Sequence, residues 1–351
     1  MKDNYFNLLN KLQLVNNNSN CFFQLIWTNS LMFFTQHNYF RDYYVKNKDI
    51  YIPNIIKRNN KCIIFSSGAN WYWNDNKYRT DQHELTVKGM EIFIKEYPNI
   101  RLILMHPDET FIEGYPKCLE YLNFNRNALI DINSFNIIDK EKKFDSIYNS
   151  NFYAYKQHYL LEEIDNYKIA LIYYHRNSNL NQAYYIKKKD IDEGYELEKR
   201  LLENKKFTLL NMANGKYKFL SKKEINEYYN ESYSGLCLSD IEGACLVSVE
   251  YLLSGLPVIS VKNVGGRDKF LKQMGIYAIT DLNYNINEIE EAIQYYKNKN
   301  SNKEDIRNKI LSVINKEWET FFNEINKLNI DINNKVNFKQ SFINAWNKYK
   351  L

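Results

Sequence analysis

Two glutamates eight residues apart, Glu242 and Glu250, bracket an apolar run in "LSDIEGACLVSVEYLLSGLPVISVKNVGG", Leu238 to Gly266. The run reads as strand, turn, helix, turn, strand. "SGLCLS" is the near-continuous apolar stretch of a buried parallel strand. "ACLVSVEYLLSG" reads as a helix that is mostly apolar on all sides, stopped by Gly255 with Pro257 just beyond. Glu242 then sits at the helix entrance beside Gly243, where unpaired backbone N–H groups and a residue without a side chain make an anion site. Glu250 falls a little over two turns into the helix, within about 40° of arc of residue 243. On a buried helix an ionised carboxylate needs vicinal hydroxyls, a cation or a backbone donor beside it. Either glutamate alone could be a helix cap or a buried ion-paired acid, but together they suit a ligand that carries a diphosphate next to a ribose.

The elements that must position these groups form two series. In the first, "KCIIFSSG" (61–68) is a strand, Asp81 to Tyr97 is a helix with Leu85, Met90, Phe93, Ile94 and Tyr97 on one face, and "IRLILMH" (100–106) and "ALIDI" (128–132) are strands. Strand, helix, strand in this order gives right-handed βαβ units and a parallel sheet. The second series holds strands in "FDSIYN", "KIALIYYH" (168–175), "KFTLLN" (206–211), "SGLCLS" (234–239) and "LPVISV" (256–261), with the polar "NIIDKEKK" (136–143) as the candidate linker between the series. After residue 284 the pattern is helical. The expected fold is α/β, two Rossmann-like lobes facing a cleft with C-terminal helices, and ligands bind such lobes outside the carboxyl ends of the strands.

Composition sets the frame. The 351 residues exceed one small core, and 44% hydrophobic residues with Tyr 30 and Phe 20 suffice for a globular chain despite the abundant Asn and Lys. Forty-seven basic against 42 acidic residues leave a net charge of +5 without a basic block, weak support for an anionic partner and none for nucleic acid. Cys21, Cys62, Cys118, Cys237 and Cys245 form no CxxC pair and read as free thiols in a reducing compartment. "MKDNYFNLLNKLQL" lacks the features of a signal peptide. "CFFQLIWTNSLMFF" is shorter than the roughly 20 apolar residues of a membrane span and reads as a buried element or an interfacial patch. The expected place is the cytoplasm, with peripheral contact to a membrane left open.

The element "EGACLVSVE", inside "LSDIEGACLVSVEYLLSGLPVIS" and followed by "VGG", resembles the donor-binding segment of the retaining group 1 glycosyltransferases of the E-x7-E type, which have the GT-B fold. The resemblance implies that Glu242 faces the donor sugar and that Glu250 binds the ribose hydroxyls. It implies that backbone amides of Gly243, Ala244, Cys245 and Leu246 hold the pyrophosphate, with the Gly265-Gly266 turn closing the site. Family members carry Arg-x4-Lys after the first strand of the second lobe. In "YNSNFYAYKQH" Lys156 fits the lysine and Asn151 stands where the arginine is expected, a lost cation unless Arg176 or Lys222 reaches in. Phe219 and Leu220, in "YKFLSKKEINEYYNES", match the loop that contacts the base through its main chain.

The resemblance further implies an N-terminal acceptor-binding lobe over 1–140, a nucleotide-sugar lobe over 141–335, and a terminal helix, 336–351, that crosses back to the first lobe. It implies transfer from a nucleotide sugar to a glycan or lipid-linked acceptor, with retention and without an obligatory metal or other cofactor. Weaker signals surround this reading. His106 ends a first-lobe strand, and Trp71 and Trp73 follow another strand end; all three are acceptor-binding candidates or core packing. "DID" (Asp190 to Asp192) lies in a charged helical stretch without an apolar strand before it and reads as solvated surface. Two alternatives stay open: a protein of this fold that binds nucleotide sugar without transfer, and another GT-B enzyme such as an epimerase.

Overall fold

Contacts within the chain divide it into two compact units, residues 1–130 with 317–351 and residues 131–316. The computed structural model describes residues 24–27, 31–46, 62–67, 81–106, 119–151, 156–172, 196, 199–201, 203, 207–213, 216–263 and 265–348.

The first unit is built on a five-stranded sheet in the order β1 (Gln24–Trp27), β2 (Met32–Gln36), β3 (Ile63–Ser67), β4 (Arg101–His106), β5 (Glu120–Asn123). β1 pairs antiparallel with β2, and the other pairs are parallel. Of this apolar segment Gln24–Trp27 and Met32–Phe34 are therefore strand, with Met32, Phe33 and Phe34 buried. Among the described residues no helix is long and apolar enough to cross a membrane. Helices α1 (His37–Val45) and α2 (Asp81–Glu96) cover one face, where Tyr39, Phe40, Tyr43, Met90 and Phe93 bury against Phe33, Ile64, Leu102 and Leu104. The two helices touch at Gly89: a Cβ there would lie 1.8 Å from the Phe40 carbonyl oxygen.

One expectation fails in this unit. Residues 128–132 are not a strand; Arg126–Leu129 form a 3-10 turn because the Asn125 side chain accepts from the Asn127 N–H and starts a helical turn. The last strand is the less apolar "EYLN". Apolar content alone does not separate a buried turn from a buried strand.

The second unit holds β6 (Ser146–Asn149), α3 (Tyr159–Glu162), β7 (Ile169–Ile172), β8 (Phe207–Leu209), the hairpin β9 (Met212–Ala213) and β10 (Lys216–Tyr217), α4 (Lys222–Asn230), β11 (Gly235–Cys237), α5 (Leu246–Leu253), β12 (Val258–Val261), α6 (Gly266–Leu271), β13 (Ala278–Leu282) and α7 (Ile286–Asn298). Its six-stranded sheet runs β13-β12-β11-β6-β7-β8, parallel throughout. The order reverses at β6 and β11, the topological switch point where open α/β sheets leave a ligand crevice at the carboxyl ends. The stretch 136–143 is not a free linker: Asn136 and Ile138 N–H groups donate to the side chains of Asn226 and Asn230, at 3.1 and 2.9 Å, so it lies along α4.

Two more helices follow, α8 (Lys303–Lys327) and α9 (Lys335–Lys348). In the first unit, Trp318 and Phe321 of α8 and Phe338, Phe342 and Trp346 of α9 pack rings against Phe34, Phe65 and Phe124. This is the second apolar face of the five-stranded sheet.

Candidate functional site

Within the second unit, chemistry-bearing groups gather where β6, β11 and β12 end. After β6 the chain turns through Lys156, Gln157 and His158. Tyr148 shapes that turn: its buried hydroxyl donates to the Lys156 carbonyl at 2.5 Å and its ring meets His158 at 4.8 Å. Gln157 has φ +52°, a strained value for a residue with a side chain. The turn delivers the Lys156 ammonium to the Glu242 carboxylate, with which it forms an ion pair that is almost wholly buried, 13% and 10% of the two side chains remaining exposed.

Glu242 is held from behind. The Asn263 side-chain amide, oriented by its neighbours' donors and acceptors, accepts from the Glu242 N–H at 2.7 Å and the Ile241 N–H at 3.2 Å and donates to the Glu242 carbonyl at 3.0 Å. The Arg267 backbone N–H donates to the same carbonyl at 3.3 Å. Arg267 is fully buried and binds three strand-end carbonyls: Ser239 at 2.9 Å, Cys237 at 3.4 Å and Val261 at 2.7 Å, with its Nε 3.0 Å from Asp268. One guanidinium thus ties the ends of β11 and β12 together. Between these anchors Gly265 takes φ +133° and ψ −169°, a conformation essentially confined to glycine, and Gly266 opens α6.

The helix does not begin at the expected Ala244 but two residues later. α5 starts at Leu246 with Cys245 as its N-cap, so Glu242, Gly243 and Ala244 lie on the loop before it and Glu250 is one turn into the helix. Nor is the helix buried on all sides: Leu246, Val247 and Glu250 are half-buried. Ala244 and Cys245 continue the apolar pattern backward but precede the first turn, on a loop that Asn263 holds at Ile241 and Glu242. At the N-cap, the Cys245 and Cys237 sulfurs stand 3.9 Å apart, both buried; the hydrogen bond between them, together with burial, holds Cys237 well above the usual thiol range, and the same hydrogen bond, against burial, draws Cys245 below it.

Glu250 reaches the same region through a chain of hydrogen bonds. Tyr229, buried on α4, donates its hydroxyl to Glu250 Oε2 at 3.0 Å and accepts from Asn149 Nδ2 at 2.6 Å, and the Asn149 backbone N–H donates to the Tyr251 hydroxyl at 2.9 Å. Asn149 is the last residue of β6, so strand end, α4 and α5 are joined.

Other expected residues fall as follows. Leu220 is buried and Phe219 is 82% exposed, just before α4, whose start is fixed by a capping box between Ser221 and Glu224. Asn151 is half-buried two residues past β6. Lys222 does not join Lys156, as its ammonium is 3.4 Å from Ser134 Oγ, and Arg267 spends its donors inside the protein. Arg176, Trp71, Trp73 and Asp190 to Asp192 lie outside the described residues. His106 belongs to the first unit, buried at the end of β4. Among the described residues no three His, Cys, Asp or Glu side chains gather in a metal-holding arrangement. Sequence reasoning missed Arg267, Tyr229 and Asn263; a lone arginine directly after Gly-Gly and an Asn at the end of a buried strand were the available signals.

No protein-family model and no curated protein sequence matches the chain. Solved structures do match by fold. Sucrose-phosphate synthase from Thermosynechococcus elongatus aligns with a TM-score of 0.56 at 13% identity, over 85% of this chain and 72% of that one. HepE from Anabaena, in complex with UDP and glucose, aligns with a TM-score of 0.51 at 10% identity, over 84% and 80%. At such identity the likeness concerns the fold, which is α/β with two parallel-sheet lobes of the GT-B class.

Proposed function

We propose that the chain is a glycosyltransferase that takes a sugar from a nucleotide-sugar donor. The observation that carries the reading is the buried Lys156–Glu242 pair at the switch point of a parallel sheet, with Glu250 tied to the same strand end. In this reading the donor lies along the carboxyl ends of β6, β11 and β12. Glu250 binds the ribose hydroxyls. The main chain of Phe219 and Leu220 meets the base, and the amides of Gly243 to Leu246 meet the diphosphate with Gly265 and Gly266 closing on it.

Lys156 then exchanges Glu242 for the phosphate oxygens. As the bond from the sugar C1 to the phosphate oxygen breaks, its electron pair moves to the diphosphate, where the lysine charge stabilises it. Glu242, released to the sugar side, supports the positive charge that develops on the ring. The acceptor oxygen bonds to C1 on the face the diphosphate leaves, and its proton passes to the leaving phosphate, which gives retention without a protein base or an obligatory metal. The first unit, with His106 and the segment around Trp71 and Trp73, is the proposed lobe for a glycan or lipid-linked acceptor.

The test is a thermal-shift screen against UDP, GDP, ADP, dTDP and CMP sugars with and without manganese, followed by assay of nucleotide release. UDP-glucose is the first donor to try, since the HepE match was crystallised with UDP and glucose. A donor at 100 times its Kd should stabilise the protein by about 2.7 kcal/mol, the shift should vanish in Glu250→Ala, and slow nucleotide release should accompany it. No shift with any nucleotide defeats the reading. Asn151 in the place of a cation favours a second one, a nucleotide-sugar-binding protein without transfer, for which binding without release even with acceptor glycans would speak.

A further inference from the structure

Tyr229 is a residue that no motif singles out, yet its hydroxyl stands between the end of β6 and Glu250. Its ring cannot move: it is fully buried, stacked on Phe135 at 5.8 Å and set edge-on to Tyr251 at 4.7 Å. Its one proton has a defined destination. An ionised Glu250 only accepts, so the phenol must donate to Oε2, and the group that meets the phenol oxygen from Asn149 must be the amide nitrogen. Asn149 is pinned in turn by its backbone N–H to the Tyr251 hydroxyl, which donates to the Ile147 carbonyl at 3.3 Å. Proton donation therefore runs one way, from strand end to phenol to carboxylate, and fixes the rotation of the Glu250 side chain. Hydrogen bonds to a charged acceptor are the strong ones, and a carboxylate fixed before binding loses less freedom on meeting a ligand.

We infer that Tyr229 is a positioning residue that sets the preference of the site for a ribose over a sugar without vicinal hydroxyls. The inference rests on the proposed role of Glu250. A carboxylate held in one plane meets the two hydroxyls of a ribose, whereas one free to rotate does not; the base and the diphosphate meet other groups and do not depend on it. Tyr229 touches no substrate and acts through Glu250 alone.

The experiment measures binding of UDP, GDP and ADP, and of their 2′,3′-dideoxy counterparts, to the unaltered chain and to Tyr229→Phe, which keeps the ring packing. The wild type should prefer the ribonucleotide by tenfold or more. In Tyr229→Phe the affinity for the ribonucleotide should fall about tenfold and that for the dideoxy form stay within twofold, so that the preference collapses. With donor sugar, KM should rise while kcat holds. Tyr229→Phe/Glu250→Ala should be no weaker than Glu250→Ala, a non-additivity that general loosening would not produce. Asn149→Ala, which removes the donor behind the phenol, gives the same pattern at smaller size should Tyr229→Phe fail to fold. Equal losses for both nucleotide forms, or no loss, overturn the inference and leave the donor site standing. Absence of nucleotide binding by the wild type overturns the donor site itself and this inference with it.

Discussion

Lys156 and Glu242, 86 residues apart in the chain, share one buried ion pair that joins the turn after β6 to the loop after β11. Each charge compensates the other while no phosphate is bound, so removal of one partner should act differently from removal of the other. Glu242→Gln keeps the shape and frees the ammonium for an incoming diphosphate: UDP affinity is expected to hold or rise, while transfer falls about 10²-fold or more because the charge facing the sugar is gone. Lys156→Ala should lose both UDP affinity and rate. Calorimetric binding beside nucleotide-release rates separates the two, and a Glu242→Gln variant that transfers at the wild-type rate would remove Glu242 from the reaction.

Arg267 ties Cys237, Ser239 and Val261 carbonyls to one guanidinium and carries Asp268 as its counter-ion. Burial already pushes the Asp268 carboxyl up against the pull of Arg267. In Arg267→Met the carbonyls lose their donor and the acid its partner, with an expected loss of about 3–5 kcal/mol. Arg267→Lys should recover little, because an ammonium cannot span the fork. Urea denaturation midpoints decide this; a loss below about 1 kcal/mol would contradict the staple.

Much of this architecture was legible because it is local. "KCIIFSSG", "IRLILMH" and "LPVISV" are apolar and bounded by turn residues, and they contain β3, β4 and β12; the helical face from Leu85 to Ile94 belongs to α2, and Tyr97 follows directly on its end. The signal fails where a side chain overrides it. Asn125 turns an apolar run into a 3-10 turn, and Ala244 and Cys245, which the apolar pattern assigns to the helix, stay ahead of it on a loop that Asn263 holds at Ile241 and Glu242. Pairing across the sheet has no local signal at all: strand order brings Lys156 to Glu242 and Tyr229 to Glu250, and no spacing announces either contact.

Gly265 separates Asn263 and Arg267, the two residues that hold the Glu242 backbone, with a φ of +133°. Gly265→Ala should shift this turn and cost about 1–3 kcal/mol of local strain. The expected result is a modest fall in melting temperature with a clear rise in donor KM, since the strained segment lies at the binding loop. Unchanged KM and stability would mean that the turn tolerates a side chain.

His158 supplies a pH test of the turn that carries Lys156. Burial, then the nearby Lys156 charge, lowers its imidazole to about 3, against an ordinary value of about 6.5. The unfolded chain therefore binds a proton that the folded chain refuses. The stability that neutral His158 contributes is fully present above about pH 6.5 and is lost as pH falls toward 3, by about 1.4 kcal/mol per unit between pH 6 and 4. His158→Phe keeps a ring against Tyr148, 4.8 Å away in the wild type, and has nothing to protonate. Its unfolding free energy should fall less steeply with acid, by that same slope, and the donor affinity at pH 7 should change little. Parallel stability curves for the two proteins from pH 6 to 4 would show that His158 takes up its proton in the folded state, and the dry, charge-excluding turn beneath Lys156 would have to be given up.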